Sequence, residues 1–235
     1  MSDTFLFFNM ILAISQPTLY PWIGFFDIIE KSDIFVFLDD VQFNRHGWQQ
    51  NNRIKDPKSD EEVWLNIPIK KASLENNINE TKIDNSKKWK RKHVRALETC
   101  YGTNFKGMDW LVNLYSKEWE NLSSFNIEFI EKCCKYLEID TKLICSSTLN
   151  VSGKRTEKLV NICKIFSADS YLSTIGTKEN YLEEVEYMFK DVGIKVMYHD
   201  YLHPTYSQRG KKFLDHLSIL DLILNLGNES KKIFR

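Results

Sequence analysis

Short runs of consecutive apolar residues alternate with segments of helical spacing along this chain. The runs at 11–14 and 34–38 are wholly apolar and end in polar residues, which is typical of strands buried on both faces. Between them, the segment 20–29 contains Pro21, which suits the first turn of a helix. A strand, a helix and a strand within forty residues predict a βαβ unit.

The same alternation returns in the last third of the chain. It predicts further strands at 143–145, 170–173 and 195–198, and helices at 159–166, near 180–190 and at 218–226. This order predicts an α/β fold with a mostly parallel sheet and flanking helices, in a Rossmann-like three-layer arrangement.

The middle of the chain has a different pattern. Phe125, Phe129, Cys133 and Leu137 recur at a spacing of four, and three consecutive helices are predicted between residues 86 and 137. We expect a helical insertion at about 86–138 within a single domain over residues 1–235. Two strands are also predicted before it, at 63–69 and, more weakly, at 78–83.

Composition narrows the class of protein. With 43% hydrophobic and 27% charged residues the chain should fold by itself. Lys plus Arg and Asp plus Glu both number 32, so no net charge favours nucleic acid or a membrane surface. The apolar stretch 5–14 is too short to span a bilayer and has no basic region before it, so no membrane insertion is expected.

The five cysteines are odd in number and form no CxxC, which indicates reduced thiols and a cytoplasmic location. A cluster of basic residues is predicted to be a solvated helix face, with an anion or partner contact as the alternative. Its members are Lys87, Lys88, Lys90, Arg91, Lys92 and Arg95.

Polar residues follow the predicted strands, where ligands of parallel sheets bind. Gln16 follows the first strand and begins an aromatic segment with Tyr20 and Trp22. Such a segment could stack on a base, a sugar or an acyl group, or it could simply close the core. Gln16 is polar and does not serve to fill the apolar core, so it is a candidate hydrogen-bonding group.

Asp39 and Asp40 follow the second strand. A carboxylate there can take a proton from an amine, hold a ribose hydroxyl or bind a hard cation; the alternatives are capping a turn and pairing with Arg45 or Arg53. Gln42, Trp48 and Asn52 continue this hydrogen-bonding stretch. Arg53 could bind a phosphate or carboxylate with two hydrogen bonds, or lie on the surface.

The loop after the last strand contains His203, Tyr206 and Gln208. A histidine close to a carboxylate can act as a base at neutral pH, so His203 with Asp40 or Asp200 is a possible acid–base pair, although a structural role is as common.

Two helix starts are also predicted. Ser152 or Thr156 would cap the helix that follows the polar loop 152–156. Phosphate binding is the alternative interpretation of that loop. Ser218 with Asp221 would form a capping box at the start of the last helix.

Six segments, spread over almost the whole chain, carry a family resemblance. They are 15–26, 33–43, Trp48 with 52–54, 168–173, 206–208 and 217–227. Together they resemble the WbqC-like family of bacterial surface-polysaccharide gene clusters. Two departures stand out: the family carries Asn-Arg where this chain has Gln50-Asn51, and commonly Gly in place of Thr174, which removes an arginine from any anion site built there.

The resemblance implies a role in O-antigen or capsule synthesis, with acylation of amino sugars and glycine among the candidate acyl groups. The prediction is therefore an N-acyltransferase that moves an acyl or aminoacyl group from a donor or acyl carrier to a nucleotide-linked amino sugar, with His203 or Asp40 as base. The predicted substrate-binding residues are Gln16, Tyr20, Trp22, Asp39, Gln42, Trp48, Asn52, Arg53, Tyr206 and Gln208.

Two other functions stay open at this point. One is nucleotide-dependent activation of a carboxylate, which would need Mg²⁺ near Asp39 or Asp40. The other is a non-catalytic protein that binds a sugar nucleotide or a partner enzyme. The sequence assigns no cofactor and no metal ligand.

Overall fold

The computed structural model describes residues 9–177 and 182–234, which divide into two compact units. The first unit comprises the chain up to Ser15 with Ile28–Phe37 and Thr141–Asp200, and the second comprises Gln16–Asp27, Leu38–Asp140 and the chain from Tyr201 onward. The single domain expected over residues 1–235 stays a prediction.

The strands and helices have the following bounds. The strands are β1 (Ile11–Ser15), β2 (Ile34–Phe37), β3 (Asn51–Asp56), β4 (Glu61–Asn66), β5 (Lys142–Cys145), β6 (Ser170–Thr174) and β7 (Lys195–His199). The helices are α1 (Ile23–Glu30), α2 (Trp89–Tyr101), α3 (Thr103–Lys106), α4 (Asp109–Ser116), α5 (Leu122–Leu137), α6 (Thr156–Ile165), α7 (Ile175–Thr177), α8 (Glu183–Val185), α9 (Tyr187–Lys190) and α10 (Ile219–Leu226).

The first unit is built on a five-stranded parallel sheet in the order β5-β2-β1-β6-β7. β1 lies in the middle, with Ala13 opposite Phe35 on one side and Leu172 on the other. All four residues of β2 are buried, as a run of large apolar side chains requires. The predicted mostly parallel α/β fold is confirmed, and it is consistent with three layers.

Helices occupy the connections of this sheet. α6 joins β5 to β6, and α7 to α9 lie between β6 and β7. The helix predicted near 180–190 is present as the short helices α8 and α9, while residues 178–181 lie outside the described part. The predicted cap of α6 by Ser152 or Thr156 is wrong, because its N-cap is Arg155, with a φ of 50° and no side-chain cap.

The second unit combines the antiparallel hairpin β3–β4 with helices α2 to α5 and α10. The described part of the predicted insertion holds four helices, not three, because the short α3 separates α2 from α4. The stripe at spacing four on α5 is buried, as predicted. Asn121 caps this helix, since its Oδ1 accepts the Ser124 amide at 3.0 Å.

Two strand predictions in this region meet different outcomes. The strand at 63–69 is present as β4, two residues earlier, and pairs with β3. The strand at 78–83 is wrong: Ile78–Glu80 is a 3₁₀ turn closed by a capping box between Asn77 and Glu80.

No helix among the described residues is long and apolar enough to cross a membrane. The five cysteines form no disulfide bond with one another. Burial raises the pKa of the Cys100 thiol to about 11 and the pKa values of the Cys134 and Cys163 thiols to about 12. At neutral pH these thiols are protonated and weakly nucleophilic.

Candidate functional site

Two buried asparagines hold the backbone of the segment that follows β1. Asn52 Nδ2 donates to the carbonyl oxygens of Leu19 and Tyr20 at 2.9 and 2.8 Å. Asn126 Nδ2 donates to the Pro17 carbonyl at 3.2 Å. The predicted substrate residue Asn52 therefore acts on the loop, because both amide hydrogens are bonded to it.

Gln16 is held by another amide in the same unit. Its Oε1 accepts a hydrogen bond from Gln49 Nε2. The Oε1 atom of Gln49 is buried and has no hydrogen-bond partner among the described residues. A buried amide oxygen without a partner is costly, so this pair is a place where a ligand or water donor would be accommodated.

Tyr20 lies in the core. It is fully buried, and its hydroxyl lies 2.5 Å from the Tyr115 hydroxyl and 3.0 Å from His93 Nδ1. His93 Nε2 donates to the Asn66 carbonyl at 3.1 Å, so Nδ1 accepts from Tyr20. Burial lowers the pKa of His93 to about 4, which keeps the ring neutral.

Trp22 belongs to a group of rings that we call the aromatic cluster. Its members are Trp22, Tyr201, His203, Tyr206, Phe213 and His216. The Trp22 indole stacks on His216 with 5.0 Å between ring centroids and meets Tyr201 edge-on at 5.2 Å. A β-bridge between Trp22 and Ser218 holds the backbone at this point. The cluster thus joins the segment after β1 to the segment after β7.

His203 presents one unused nitrogen inside this cluster. Its Nδ1 lies 3.0 Å from the Pro204 carbonyl oxygen, which can only accept, so the proton is on Nδ1 and the lone pair is on Nε2. Nε2 is buried and has no hydrogen-bond partner among the described residues. Burial, with the charge of His216, lowers the pKa of His203. The ring is a neutral base at neutral pH.

The carboxylate that acts on His203 is Asp215. Its charge raises the pKa of His203, against the larger effect of burial. Asp215 Oδ1 lies 3.2 Å from Nδ1 of the exposed His216, and that hydrogen bond lowers the pKa of Asp215. This Asp-His pair was not predicted from the sequence, because it lies beyond the residues directly after a strand.

Arg53 lies beside the aromatic cluster. Its carbonyl oxygen accepts the Ser218 amide at 3.0 Å, and its charge contributes to the lowered pKa of Asp215. The guanidinium pairs with Glu62 at 2.7 Å. Its central carbon lies 6.0 and 5.9 Å from the ring centroids of Trp48 and Trp64, within cation–π range. The alternative prediction paired Arg53 with Asp39 or Asp40, and the structure pairs it with Glu62 instead.

Asp221 is a buried carboxyl group that the sequence analysis placed in a capping box. The prediction is confirmed for Ser218, whose hydroxyl accepts the Leu220 amide and caps α10. It is wrong for Asp221, which instead accepts the hydroxyls of Tyr101 at 2.6 Å and Tyr206 at 2.8 Å. Burial raises its pKa. Gln208 donates to the Tyr206 hydroxyl at 3.2 Å.

Through these contacts Tyr206 and Gln208 stabilise the loop that follows β7. Gln208 also exchanges two hydrogen bonds with the Leu214 backbone, at 2.7 and 2.9 Å. Farther along, the buried Lys55 pairs with Asp60 at 2.9 Å and donates to the Lys212 carbonyl. The loop that carries His203 and His216 is therefore fixed at three points.

Asp39, Asp40 and Gln42 lie in a segment that pairs with residues 77–79. The Asp39 carbonyl accepts the Asn79 amide at 2.8 Å, and Gln42 forms a bridge with Asn77. Asp39 is buried, Asp40 is half-buried and Gln42 is exposed. The partnership of Asp40 with His203 stays a prediction. Within residues 9–177 and 182–234 no group of three or more His, Cys, Asp or Glu side chains could hold a metal ion.

The fold and the cluster define an α/β protein whose candidate site is a neutral histidine among aromatic rings. Residues 16–233 match the model of the WbqC-like protein family, and the chain belongs to that family. The chain is 34% identical over 230 residues to the uncharacterized protein Rv1507c of Mycobacterium tuberculosis, an alignment that covers 95% of this chain and 97% of that protein. No solved structure matches the chain significantly.

Proposed function

We propose that this protein forms an amide by transferring an acyl or aminoacyl group to the amine of a nucleotide-linked amino sugar, in surface-polysaccharide synthesis. The observation that supports it most is the Nε2 lone pair of His203, buried beside Trp22 and without a partner among the described residues. The charge of Arg53, which acts on Asp215 in this loop, also supports an anionic substrate.

His203 is the base in this proposal. The amine nitrogen attacks the acyl carbon, the bond from that carbon to the donor's leaving atom breaks, and the amine proton passes to Nε2 and from there to the leaving group. A histidine with a lowered pKa is unprotonated at neutral pH and can take the proton. Because Nε2 of His203 is buried, the amine reaches it only when a ring of the aromatic cluster moves. The exposed rings beside His203 are those of His216 and Phe213.

The other residues position the substrate. The Trp22 indole, which is stacked on His216, offers its ring face to the sugar when the exposed His216 moves aside. Arg53 meets the diphosphate by exchanging its bond with Glu62 for bonds to phosphate oxygens. Gln16 and Gln42 remain the proposed hydrogen-bonding groups, whereas Tyr206 and Gln208 act through the loop that holds His203.

Mass spectrometry of the products tests the proposal. Purified protein is incubated with nucleotide-linked amino sugars, each combined with acyl-coenzyme A, an acylated carrier protein or glycine with ATP. The expected product is the acceptor heavier by one acyl or glycyl group. Absence of a mass increase with every donor and acceptor would overturn it, and product formation only with ATP and Mg²⁺ would favour carboxylate activation.

A further inference from the structure

A cavity of about 440 Å³ lies between the hairpin β3–β4 and helix α2. Its lining includes Trp64 and Asn66 from β4 and Lys87, Lys92 and His93 from α2 and the turn before it. The volume falls within the range of small-molecule sites. We call it the Trp64 cavity.

Trp64 gives the cavity a stacking surface. Its side chain is 55% exposed, and the neighbouring Trp48 is 51% exposed. The two indoles stack with 6.0 Å between ring centroids and 22° between planes. Tryptophan is highly buried on average, so two exposed indoles held together are typical of a binding surface.

Cations surround the same indole. Lys87 and Lys92 line the cavity, and Arg53 lies 5.9 Å from the Trp64 ring centroid. Two carboxylates oppose them: Glu62 pairs with Arg53, and Asp84 lies close enough to Lys87 for that charge to lower its pKa. Lys92 forms no ion pair with any residue in the described ranges.

The start of α2 adds to the positive potential. Its first turn has no acidic residue, and its N-cap, Lys88, makes no side-chain cap. Basic residues at a helix N-terminus oppose the helix dipole, and an anion placed there relieves this repulsion. His93 also lines the cavity and adds no charge to it, because burial lowers its pKa to about 4.

We propose that the Trp64 cavity binds the nucleoside diphosphate part of the substrate, with the base stacked on Trp64 and the phosphates close to Lys87, Lys92 and Arg53. A nucleoside diphosphate joins a flat aromatic group to adjacent negative charges, which matches an exposed indole with three cations around it. This inference assigns a binding site to the substrate of the proposed function. It rests on that function only in taking the acceptor to be linked to a nucleotide.

Isothermal titration calorimetry with UDP, dTDP, ADP and GDP as separate probes, without any acyl donor, tests the inference. At least one should bind, and Trp64→Leu should weaken that binding about tenfold, since stacking contributes about 1–3 kcal/mol per base. Tyr187→Leu, at another exposed aromatic residue, should leave it unchanged. Inorganic pyrophosphate should bind more weakly than the nucleotide.

Two double variants distinguish nucleotide binding in the cavity from a general effect of surface charge on binding. Lys87→Ala with Lys92→Ala should weaken nucleotide binding at least tenfold. Arg91→Ala with Arg95→Ala removes the same charge from exposed positions of the same helix outside the cavity and should change binding less than twofold. Equal losses in the two double variants, or no binding of any probe at millimolar concentration, would overturn the inference.

The outcomes for the cavity and for the proposed function are distinct. Nucleotide binding that depends on Trp64 and the two lysines, without any amide product, would support the cavity and contradict the transfer reaction. Amide formation on a free amino sugar, without nucleotide binding, would do the reverse.

Discussion

The imidazole of His203 lies parallel to the indole of Trp22, with 6.4 Å between ring centroids and 9° between the planes. Trp22 is fixed by its bridge to Ser218 and by the absence of a side chain at Gly24, where a Cβ atom would lie 2.3 Å from the indole. The orientation of the proposed base therefore depends on a tryptophan and a glycine far from it in the chain.

Gly24→Ala tests this arrangement. A glycine in a helix is normally about 0.5–1 kcal/mol less favourable than alanine, so propensity alone predicts a gain in stability. We expect a loss of at least about 1 kcal/mol instead, because the added methyl group displaces the indole. Urea unfolding measures it, and in the Trp22→Leu background the same change should be neutral or stabilising. A stabilising Gly24→Ala in the native background would contradict the contact.

His93 predicts a pH dependence of stability. Its pKa is lowered to about 4 in the folded protein against 6.5 ordinarily, so between these values the unfolded chain binds more protons. The free energy of unfolding should fall by about 3 kcal/mol as the pH drops from 6.5 to 4, at about 1.4 kcal/mol per pKa unit.

His93→Gln, which keeps a donor for Asn66, serves as the reference. The difference in unfolding free energy between the native protein and this variant should shrink as the pH falls from 6.5 to 4. A difference that is constant over that range would show that His93 titrates as an exposed histidine does.

Asp221 is expected to matter for stability more than its helical position suggests. Asp221→Ala leaves the buried hydroxyls of Tyr101 and Tyr206 without their acceptor, and an unpartnered buried polar group costs about 1–3 kcal/mol. We expect a total loss of about 3 kcal/mol in chemical unfolding. Asp221→Asn keeps one oxygen acceptor and should lose less. Equal losses in the two variants would contradict the hydrogen-bonding account.

Asn52 supports the proposed site through the loop. Asn52→Asp is nearly isosteric but faces the Leu19 and Tyr20 carbonyl oxygens with a carboxylate oxygen in place of two N–H donors. We expect a loss of about 3 kcal/mol or more in stability and, in the folded fraction, weaker substrate binding. Asn113→Asp, at an exposed helical position, should change stability by less than about 0.5 kcal/mol. A loss in Asn52→Asp no larger than this control would show that the hydrogen bonds of Asn52 to the Leu19 and Tyr20 carbonyls contribute little to stability.

The parallel sheet could be predicted because its strands are short, apolar on both faces and separated by helical spacing. β3 could not: its sequence, Asn-Asn-Arg-Ile-Lys-Asp, is polar, and only pairing with β4 and the tertiary contacts of Asn52 and Lys55 stabilise it as a strand. The 3₁₀ turn at Ile78–Glu80 differs from the weak strand predicted there, and the capping box between Asn77 and Glu80 is the sequence signal that indicates the turn.

The candidate site could be predicted only in part. The aromatic segment after β1 identified Trp22, the hydrogen-bonding stretch after β2 identified Arg53, and the loop after β7 identified His203. The structure connects these three residues through residues 215–218. Tyr20 could not be placed, because a tyrosine in an aromatic loop can face a ligand or the core, and the deciding partners, His93 and Tyr115, lie in helices far along the chain. The position of Asp221 in the sequence indicated a helix cap. Its role as hydrogen-bond acceptor depends on Tyr101 and Tyr206, which the sequence pattern did not connect to it.

The rate of amide formation by His203→Gln, measured across pH 4.5–8, tests the central claim most directly. Because the pKa of His203 is lowered, the rate of the native protein should be constant around neutral pH and fall only below pH 6.5, as the ring gains a proton. The variant should lose this limb and at least about 100-fold in rate, while His46→Asn, at an exposed histidine, changes neither. A His203→Gln protein with the native rate and the native pH profile would contradict the account.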